Sequence, residues 1–143
     1  MPTSTSTAYW DGGFKAGKGH FNAKSGTFSG DYSFRTRFEG TGQGSTPEEL
    51  LAAAHASCLS MALAAGLEQS GHPATRITTT ASATIEKVGD GFRITRMKLE
   101  VLGTVPGMDQ AAFGAAAEAA KNGCPVSNAF KGNMEIQLEA KLG

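Results

Sequence analysis

The sequence predicts an α+β domain in which short strands surround one long central helix. Three observations carry this prediction: aromatic segments separated by glycine in residues 1–40, an apolar stretch without Lys, Arg, Asp or Glu from Leu50 to Leu67, and strict apolar–polar alternation near the end of the chain. Because 143 residues is the length of one typical domain, we expect residues 1–143 to form a single domain.

The segment DYSFRTRFEG ends the aromatic part of the chain. Its aromatic residues and threonine occupy every second position from Tyr32 to Phe38, which is the period of a β-strand. The opposite face of that strand would carry Arg35 and Arg37. We therefore expect both guanidinium groups to face a pocket.

The central helix begins after a glycine-rich run. Thr46 is the predicted cap, Pro47 takes the first helical position, and Glu49 is placed to return a hydrogen bond to the cap amide. Gly71 is the predicted stop. Because apolar residues occur all round the helix, we expect a sheet or a partner subunit to enclose it, which favours a dimer. Its flanks are acidic, so a core helix is favoured over a membrane span.

A β-hairpin follows the central helix. Ile77–Val88 and Phe92–Val101 are rich in Thr, Ile and Val and are joined by Gly89-Asp90-Gly91. The apolar phase shifts after Ile94, which predicts a bulge near Thr95.

Two helices and a strand complete the predicted chain. Asp109 is placed to cap an alanine-rich helix that ends at Asn122-Gly123, and Cys124-Pro125 opens a second, short helix. The alternation of apolar residues from Asn133 to Leu142 predicts a strand with one buried face.

Composition excludes several classes of partner. The 13 basic and 13 acidic residues balance, so there is no net field to attract nucleic acid or an anionic membrane. Two cysteines and no apolar signal segment at the start indicate a reducing, cytoplasmic location with free thiols. The cysteines are not in a C-x-x-C pair, and the three histidines show no ligand spacing with them, so no metal site is expected.

The two cysteines differ in their predicted surroundings. Cys58 lies in the middle of the central helix, where the helix dipole gives no help, so it needs a nearby cation such as Arg37 or Arg35 to become a thiolate. Cys124 lies at a helix N-terminus, where local chemistry makes it the more acidic thiol. Together they are interpreted either as a structural disulfide or as a redox-cycling pair, and the reducing location favours the second interpretation.

Three segments, FRTRFEG, TPEELLAAAHASCLSMAL and KNGCPVS, in this order and spacing, resemble the osmotically inducible protein C (OsmC) and organic hydroperoxide resistance (Ohr) family, and most closely its OsmC branch. The resemblance runs from the Trp10 segment to the last strand. It implies an OsmC-like domain with antiparallel sheets around the central helix and an intertwined homodimer with two active sites at the subunit interface.

The resemblance also implies the residues and their roles. Cys58 matches the peroxidatic cysteine, Cys124 the resolving cysteine, Arg37 the essential arginine of the OsmC branch, and Glu48 the glutamate after the helix-opening proline. It implies a peroxidase that reduces organic hydroperoxides, and with them hydrogen peroxide, through a Cys58 sulfenic acid and a Cys58–Cys124 disulfide. Members are reduced by dithiols, and lipoylated proteins are the reductant in the hydroperoxide resistance branch. The implied cycle requires no cofactor, whether metal, flavin or haem.

This assignment reverses the acidity order that local chemistry predicts for the two thiols. We reconcile them by expecting Arg37, held by Glu48, to act at short range in a low-dielectric site. Four apolar residues are candidates for the lining of an alkyl pocket: Phe38, Leu51, Met61 and Phe130. Two alternatives to the enzyme remain at this point: a peroxide sensor, and a non-catalytic stress or ligand-binding protein whose cysteines fill space.

Overall fold

The computed structural model describes residues Met1–Gly143. Residues Met1–Leu50 form one compact unit and residues Leu51–Gly143 form another. The elements in chain order are β1 (Ser6–Asp11), β2 (Lys18–Ala23), β3 (Ser29–Tyr32), a π-helical turn (Arg35–Glu39), α1 (Pro47–Gln69), β4 (Arg76–Val88), β5 (Gly91–Thr104), α2 (Gln110–Gly123), α3 (Pro125–Phe130) and β6 (Glu135–Leu142).

The first unit contains a three-stranded antiparallel sheet in the order β1-β2-β3. In its register Gly19 lies between Trp10 on β1 and Tyr32 on β3. The Trp10 and Tyr32 rings are 5.6 Å apart, and a Cβ at Gly19 would collide with the Tyr32 ring. A glycine is therefore needed for the two rings to meet across the middle strand.

The segment that carries Arg35 and Arg37 is not a strand, so that prediction was wrong. The chain leaves β3 at Tyr32 and forms the π-helical turn Arg35–Glu39. Ser33 and Thr36 stabilise this turn with reciprocal bonds: the Thr36 amide donates to Ser33 Oγ at 3.1 Å and the Ser33 amide donates to Thr36 Oγ1 at 2.9 Å. Such local side-chain bonds compete with a sheet ladder, and period alone does not report them.

The predicted start and end of α1 are confirmed. The Glu49 amide donates to Thr46 Oγ1 at 2.9 Å, Pro47 is the first helical residue, and Gly71 has a left-handed φ of 83° just beyond the last turn. The prediction that the Glu49 side chain bonds back to the cap amide was wrong. Glu49 Oε1 instead accepts the Ser45 hydroxyl at 2.7 Å, because this neighbouring donor competes for the carboxylate.

The chain by itself buries only one side of α1, which was predicted to be enclosed by a sheet or by a partner subunit. The buried stripe consists of His55, Leu59, Leu63 and Leu67, spaced four residues apart, whereas Met61 on another face is 77% exposed. The helix is long and apolar enough to cross a membrane by length and composition. Its leucine stripe nevertheless packs into the core of the second unit, which is the arrangement of a core helix in a soluble protein.

The second unit contains a three-stranded sheet in the order β4-β5-β6. The β4–β5 hairpin is antiparallel, and its register shifts between Thr84 and Ile85, which pair with Arg96 and Ile94. Thr95 is therefore the extra residue, and the predicted bulge is confirmed. β6 lies parallel to β5, so the prediction of purely antiparallel sheets was wrong. α2 and α3 form a crossover between β5 and β6, and such a connection returns the chain in the same direction.

The core of the second unit forms where α1, α2 and β5 supply apolar side chains. Its buried members are Leu59, Leu63, Leu67, Met97, Leu99, Val101, Val105, Phe113, Ala117 and Ala120. Phe113 on α2 packs over Gly103 on β5, where a Cβ would meet its ring. The predicted cap of α2 is confirmed, because the Ala112 amide donates to Asp109 Oδ1 at 2.8 Å. This packing holds α2, and with it the start of α3, in place beside α1.

Candidate active site

Cys58 and Cys124 come together in the second unit. Cys58 lies in the middle of α1, and Cys124 lies between α2 and α3, where Pro125 opens the second of these helices. Both thiols are free, Cys58 is partly exposed and Cys124 is buried. Each thiol shifts the pKa of the other, so the two sulfur atoms lie close together. The fold thus joins two cysteines that lie far apart in the sequence.

The two thiols have opposite pKa shifts. Burial raises the pKa of Cys58, and the neighbouring Cys124 thiol raises it further. Burial alone would also raise the pKa of Cys124, but donor groups near its sulfur outweigh burial and lower that pKa. These groups are the Cys58 thiol, the amide and hydroxyl of Ser127, and the Val126 amide. Within this unit the acidity order is the one that local chemistry predicts.

Arg37 and Glu48 form an ion pair within the first unit. Arg37 Nη2 and Nε both donate to Glu48 Oε1, at 2.8 Å and 3.0 Å. Glu48 is only 5% exposed, and its Oε2 is buried without a partner. Both guanidinium donors therefore reach one carboxylate oxygen, and the fork that would engage both oxygens does not form. The single shared oxygen still fixes the direction of the guanidinium group.

Arg35 does not share the surroundings of Arg37. Its side chain is 66% exposed and lies 3.7 Å from Glu39 one turn later, a spacing that contributes little in water. The helical turn thus separates the two arginines that strand periodicity placed side by side.

An aromatic cavity of about 390 Å³ lies beside Arg37 in the first unit. It is lined by Trp10, Gly12, Phe14, Tyr32, Ser33, Phe34, Arg37 and Phe38. Of the candidates named from sequence for an alkyl pocket, only Phe38 lines this cavity. Leu51 and Phe130 pack against the core of the second unit. Sequence reasoning did not assign Trp10 or Tyr32 to a pocket, because only the sheet register brings them together.

Sequence reasoning also missed His55 and Ser127. His55 is fully buried on α1 and its Nε2 lies 2.7 Å from Ser127 Oγ on α3. Burial lowers the pKa of His55. A signal was present in the sequence: His55 precedes Cys58 by three residues and Ser127 follows Cys124 by three, and side chains at that spacing share a helix face.

The chain is similar to several known proteins. The profile of the family described as OsmC-like protein matches residues 40–139. The chain is 43% identical to peroxiredoxin OsmC of Escherichia coli strain K12 over 135 residues, covering 94% of each protein. It is 33% identical to the organic hydroperoxide resistance protein of Xanthomonas axonopodis pv. citri over 99 residues, covering 68% of this chain and 67% of the relative.

Solved structures show the same fold. A crystal structure of an organic hydroperoxide resistance protein from Elizabethkingia anophelis superposes with a TM-score of 0.78 at 25% identity, covering 100% of this chain and 98% of that one. A second one, from Legionella pneumophila, gives a TM-score of 0.76 at 23% identity and covers 99% of both chains.

Proposed function

The chain belongs to the OsmC-like protein family, and on that premise we propose that it is a cysteine-based peroxidase that reduces hydroperoxides. Two of its relatives, named above, are a peroxiredoxin and an organic hydroperoxide resistance protein. The proximity of the Cys58 thiol on α1 to the Cys124 thiol between α2 and α3 carries the proposal. A pair of free thiols in contact is what formation of a disulfide without large rearrangement requires.

The proposed cycle has three steps. The Cys58 thiolate attacks one peroxide oxygen, the O–O bond breaks, and the other oxygen leaves with a proton as alcohol or water. Cys58 is then a sulfenic acid. Cys124 attacks the oxidised sulfur, the S–O bond breaks, and a Cys58–Cys124 disulfide forms with release of water. An external dithiol reduces this disulfide and is itself oxidised to a disulfide.

Arg37 and Glu48 are the proposed partners of the first step. Because burial and the neighbouring thiol both raise the pKa of Cys58, the peroxidatic sulfur needs a cation to ionise near neutral pH. We assign that role to Arg37, which would also hydrogen-bond the leaving oxygen as charge develops on it. Glu48, nearly fully buried and bonded to Arg37, would hold the guanidinium direction.

An organic hydroperoxide is the proposed substrate class, together with hydrogen peroxide. The aromatic cavity has Arg37 in its wall and otherwise mostly aromatic side chains. An apolar cavity with a single cationic group suits a molecule with an alkyl or aryl part and one polar end.

The remaining assignments follow from the family. We propose that the chain acts in the cytoplasm as one domain and as an intertwined homodimer, and that a dithiol, such as a lipoylated protein, reduces it. The exposed apolar residues of α1, with Met61 at 77% exposure, support a partner subunit on that helix.

The first prediction tests the cysteine roles. Addition of one equivalent of cumene hydroperoxide should lower the intact mass of the protein by about 2 Da as the disulfide forms. Cys58→Ser should abolish hydroperoxide consumption with the fold intact, whereas Cys124→Ser should complete one turnover and leave Cys58 as sulfenic acid. Intact-protein mass spectrometry and the consumed hydroperoxide are the measurements.

Two outcomes would contradict the proposal. Steady-state rates that both cysteine variants retain in full would exclude the mechanism. A wild-type protein that forms the disulfide once but does not turn over with excess dihydrolipoamide or dithiothreitol would be a sensor and not an enzyme.

A further inference from the structure

A buried histidine is linked to the resolving cysteine through a serine. His55 Nε2 lies 2.7 Å from Ser127 Oγ, and Ser127 follows Cys124, the N-cap of α3, by three residues, so that its hydroxyl and amide lie close enough to the Cys124 sulfur to lower its pKa. All three side chains are buried. The proposed peroxidase cycle does not use His55 or Ser127. Burial of a polar side chain costs free energy unless a hydrogen bond compensates it.

The donor and acceptor in the contact between His55 and Ser127 follow from the unpaired ring nitrogen of His55. Its Nδ1 is buried without a partner. A neutral imidazole carries one N–H and one bare nitrogen, and a buried N–H without an acceptor is the rarer of the two defects. We therefore assign the proton to Nε2, which donates to Ser127 Oγ. This assignment leaves the hydroxyl hydrogen of Ser127 free to donate to the sulfur of Cys124.

The ring of His55 is held in place by a second contact. The Phe130 ring meets it edge to face, with centroids 5.4 Å apart and planes at 76°. Phe130 is the last residue of α3, the helix that also carries Ser127. One short helix thus fixes both the histidine ring and the hydroxyl that it contacts.

We propose that His55 and Ser127 are positioning residues for the second chemical step, in which they hold a hydroxyl donor on the Cys124 sulfur and keep it a thiolate ready to attack oxidised Cys58. This inference rests on the proposed function. In that step the Cys124 lone pair forms the S–S bond, the S–O bond of the sulfenic acid breaks, and the hydroxyl leaves with a proton from solvent as water.

The sign of the effect follows from the donors. Bonds to a thiolate favour it and lower its pKa, so loss of the Ser127 hydroxyl raises the pKa of Cys124. For each unit by which that pKa lies above the working pH, the thiolate fraction falls about 10-fold and its intrinsic nucleophilicity rises about 3-fold. The net expectation is a disulfide-forming step roughly 3-fold slower per unit at neutral pH, with the deficit disappearing as the pH rises.

The other titratable groups near His55, Ser127 and Cys124 are the same in every variant of the experiment. Lys121, paired with Glu118 at 2.7 Å, and Lys131 line an open cavity together with Ser127. Cys58 faces the resolving sulfur from α1. All of these groups remain in each variant, so a difference between pH profiles reports the hydroxyl and the imidazole.

The experiment separates the two steps by rapid mixing with one equivalent of cumene hydroperoxide, trapping of Cys58 sulfenic acid with a dimedone-type reagent, and intact mass measurement from pH 5.5 to 9.5. The variants are Ser127→Ala, His55→Leu, and His55→Gln, whose amide keeps a donor. The matched control is Ser60→Ala, which removes the hydroxyl bonded to Thr79 Oγ1 at 2.8 Å and leaves the thiols untouched.

The expected result has four parts. Ser127→Ala and His55→Leu form the sulfenic acid no more slowly than wild type but close the disulfide at least 3-fold more slowly at pH 7. Their closing step shifts to higher pH, His55→Gln recovers most of the wild-type profile, and Ser60→Ala matches wild type. If His55→Leu does not fold, Ser127→Ala carries the test.

The inference is overturned if Ser127→Ala keeps the wild-type pH profile of the closing step. It is also overturned if the variants are slowed by the same factor at every pH, because this would mean only a structural role. A wild-type protein that never forms the Cys58–Cys124 disulfide would refute the proposed function instead, so the two failures are distinguishable.

Discussion

Glu48 is a carboxylate that is only 5% exposed and bonded to one guanidinium group. A buried charge is tolerated when an opposite charge contacts it, and removing that partner costs about 3–5 kcal/mol. Any test of Arg37 must therefore keep a hydrogen-bond donor near Glu48. Otherwise loss of activity and loss of the fold would look alike.

The prediction for this residue pair uses Arg37→Gln, which keeps an amide donor for Glu48 but removes the charge. We expect kcat/KM for cumene hydroperoxide to fall by about 10²–10³-fold, the usual effect of losing one donor to a developing oxyanion. Arg35→Gln is the matched control, since that side chain is 66% exposed and interacts only weakly with Glu39.

Steady-state hydroperoxide consumption and a thermal unfolding curve are measured for both variants. Arg37→Gln activity within 3-fold of wild type, or equal losses in the two variants, would remove Arg37 from the mechanism.

At the scale of single residues, the motifs in the sequence were enough to name Cys58, Cys124, Arg37 and Glu48 as candidates. They did not reveal Ser127 and His55, because their contact joins α1 to α3.

Among the elements, α2 shows how a local signal determines a boundary. The Ala112 amide donates to Asp109 Oδ1 at 2.8 Å and the Phe113 amide donates to the Asp109 carbonyl at 3.0 Å. The cap lies one helical turn before Phe113, whose ring is fully buried against Gly103. Fraying of this end would therefore disturb the core.

We expect Asp109→Ala to lower the free energy of unfolding by about 1 kcal/mol, the typical contribution of an N-cap side chain. Asp109→Asn is the control, because asparagine caps about as well as aspartate and should change stability by only a few tenths of a kcal/mol. Urea denaturation measures both variants, with the slope expected to stay constant. Equal stability of the alanine and asparagine variants would show that the cap contributes nothing.

The π-helical turn shows where the same kind of reasoning failed. Alternation from Tyr32 to Phe38 is real in the sequence, yet Ser33 and Thr36 bond to each other's amides and turn the chain. The prediction of a bulge at Thr95 was confirmed, because the extra residue in the strand is what shifts the alternation of apolar residues in the sequence. A period predicts an element only where no local side-chain bond offers an alternative.

On the scale of the whole molecule, α1 has more apolar surface than its own chain buries. Leu59, Leu63 and Leu67 are buried in the core of the second unit, whereas Met61, Ala64 and Ala65 are exposed. A contiguous exposed apolar face on a long helix is typical of a subunit interface. The homodimer is therefore the proposal that accounts for the composition of this helix.

The corresponding prediction replaces Met61 with glutamate. A charge buried in an interface without a partner costs several kcal/mol, so we expect the dissociation constant of the dimer to rise by roughly two orders of magnitude, at about 1.4 kcal/mol per tenfold. Val88→Glu, at the end of β4 where the side chain is 44% exposed, is the matched control. Sedimentation velocity over a concentration series measures both variants.

A wild-type chain that sediments as a monomer at every concentration would contradict the dimer. Equal weakening by Met61→Glu and Val88→Glu would show that the α1 face is not the contact.

The sequence by itself determined the features that depend on a few neighbouring residues: the Thr46 cap and Pro47 start of α1, the bulge at Thr95, and the opening of α3 after Cys124. Its motifs also named the two thiols. The tertiary structure decided what depends on distant partners: the parallel pairing of β5 with β6 and the bond from His55 to Ser127. The reason is that caps and bulges are stabilised by interactions between neighbouring residues in the sequence. Sheet direction and the surroundings of a buried sulfur depend instead on how separate elements pack.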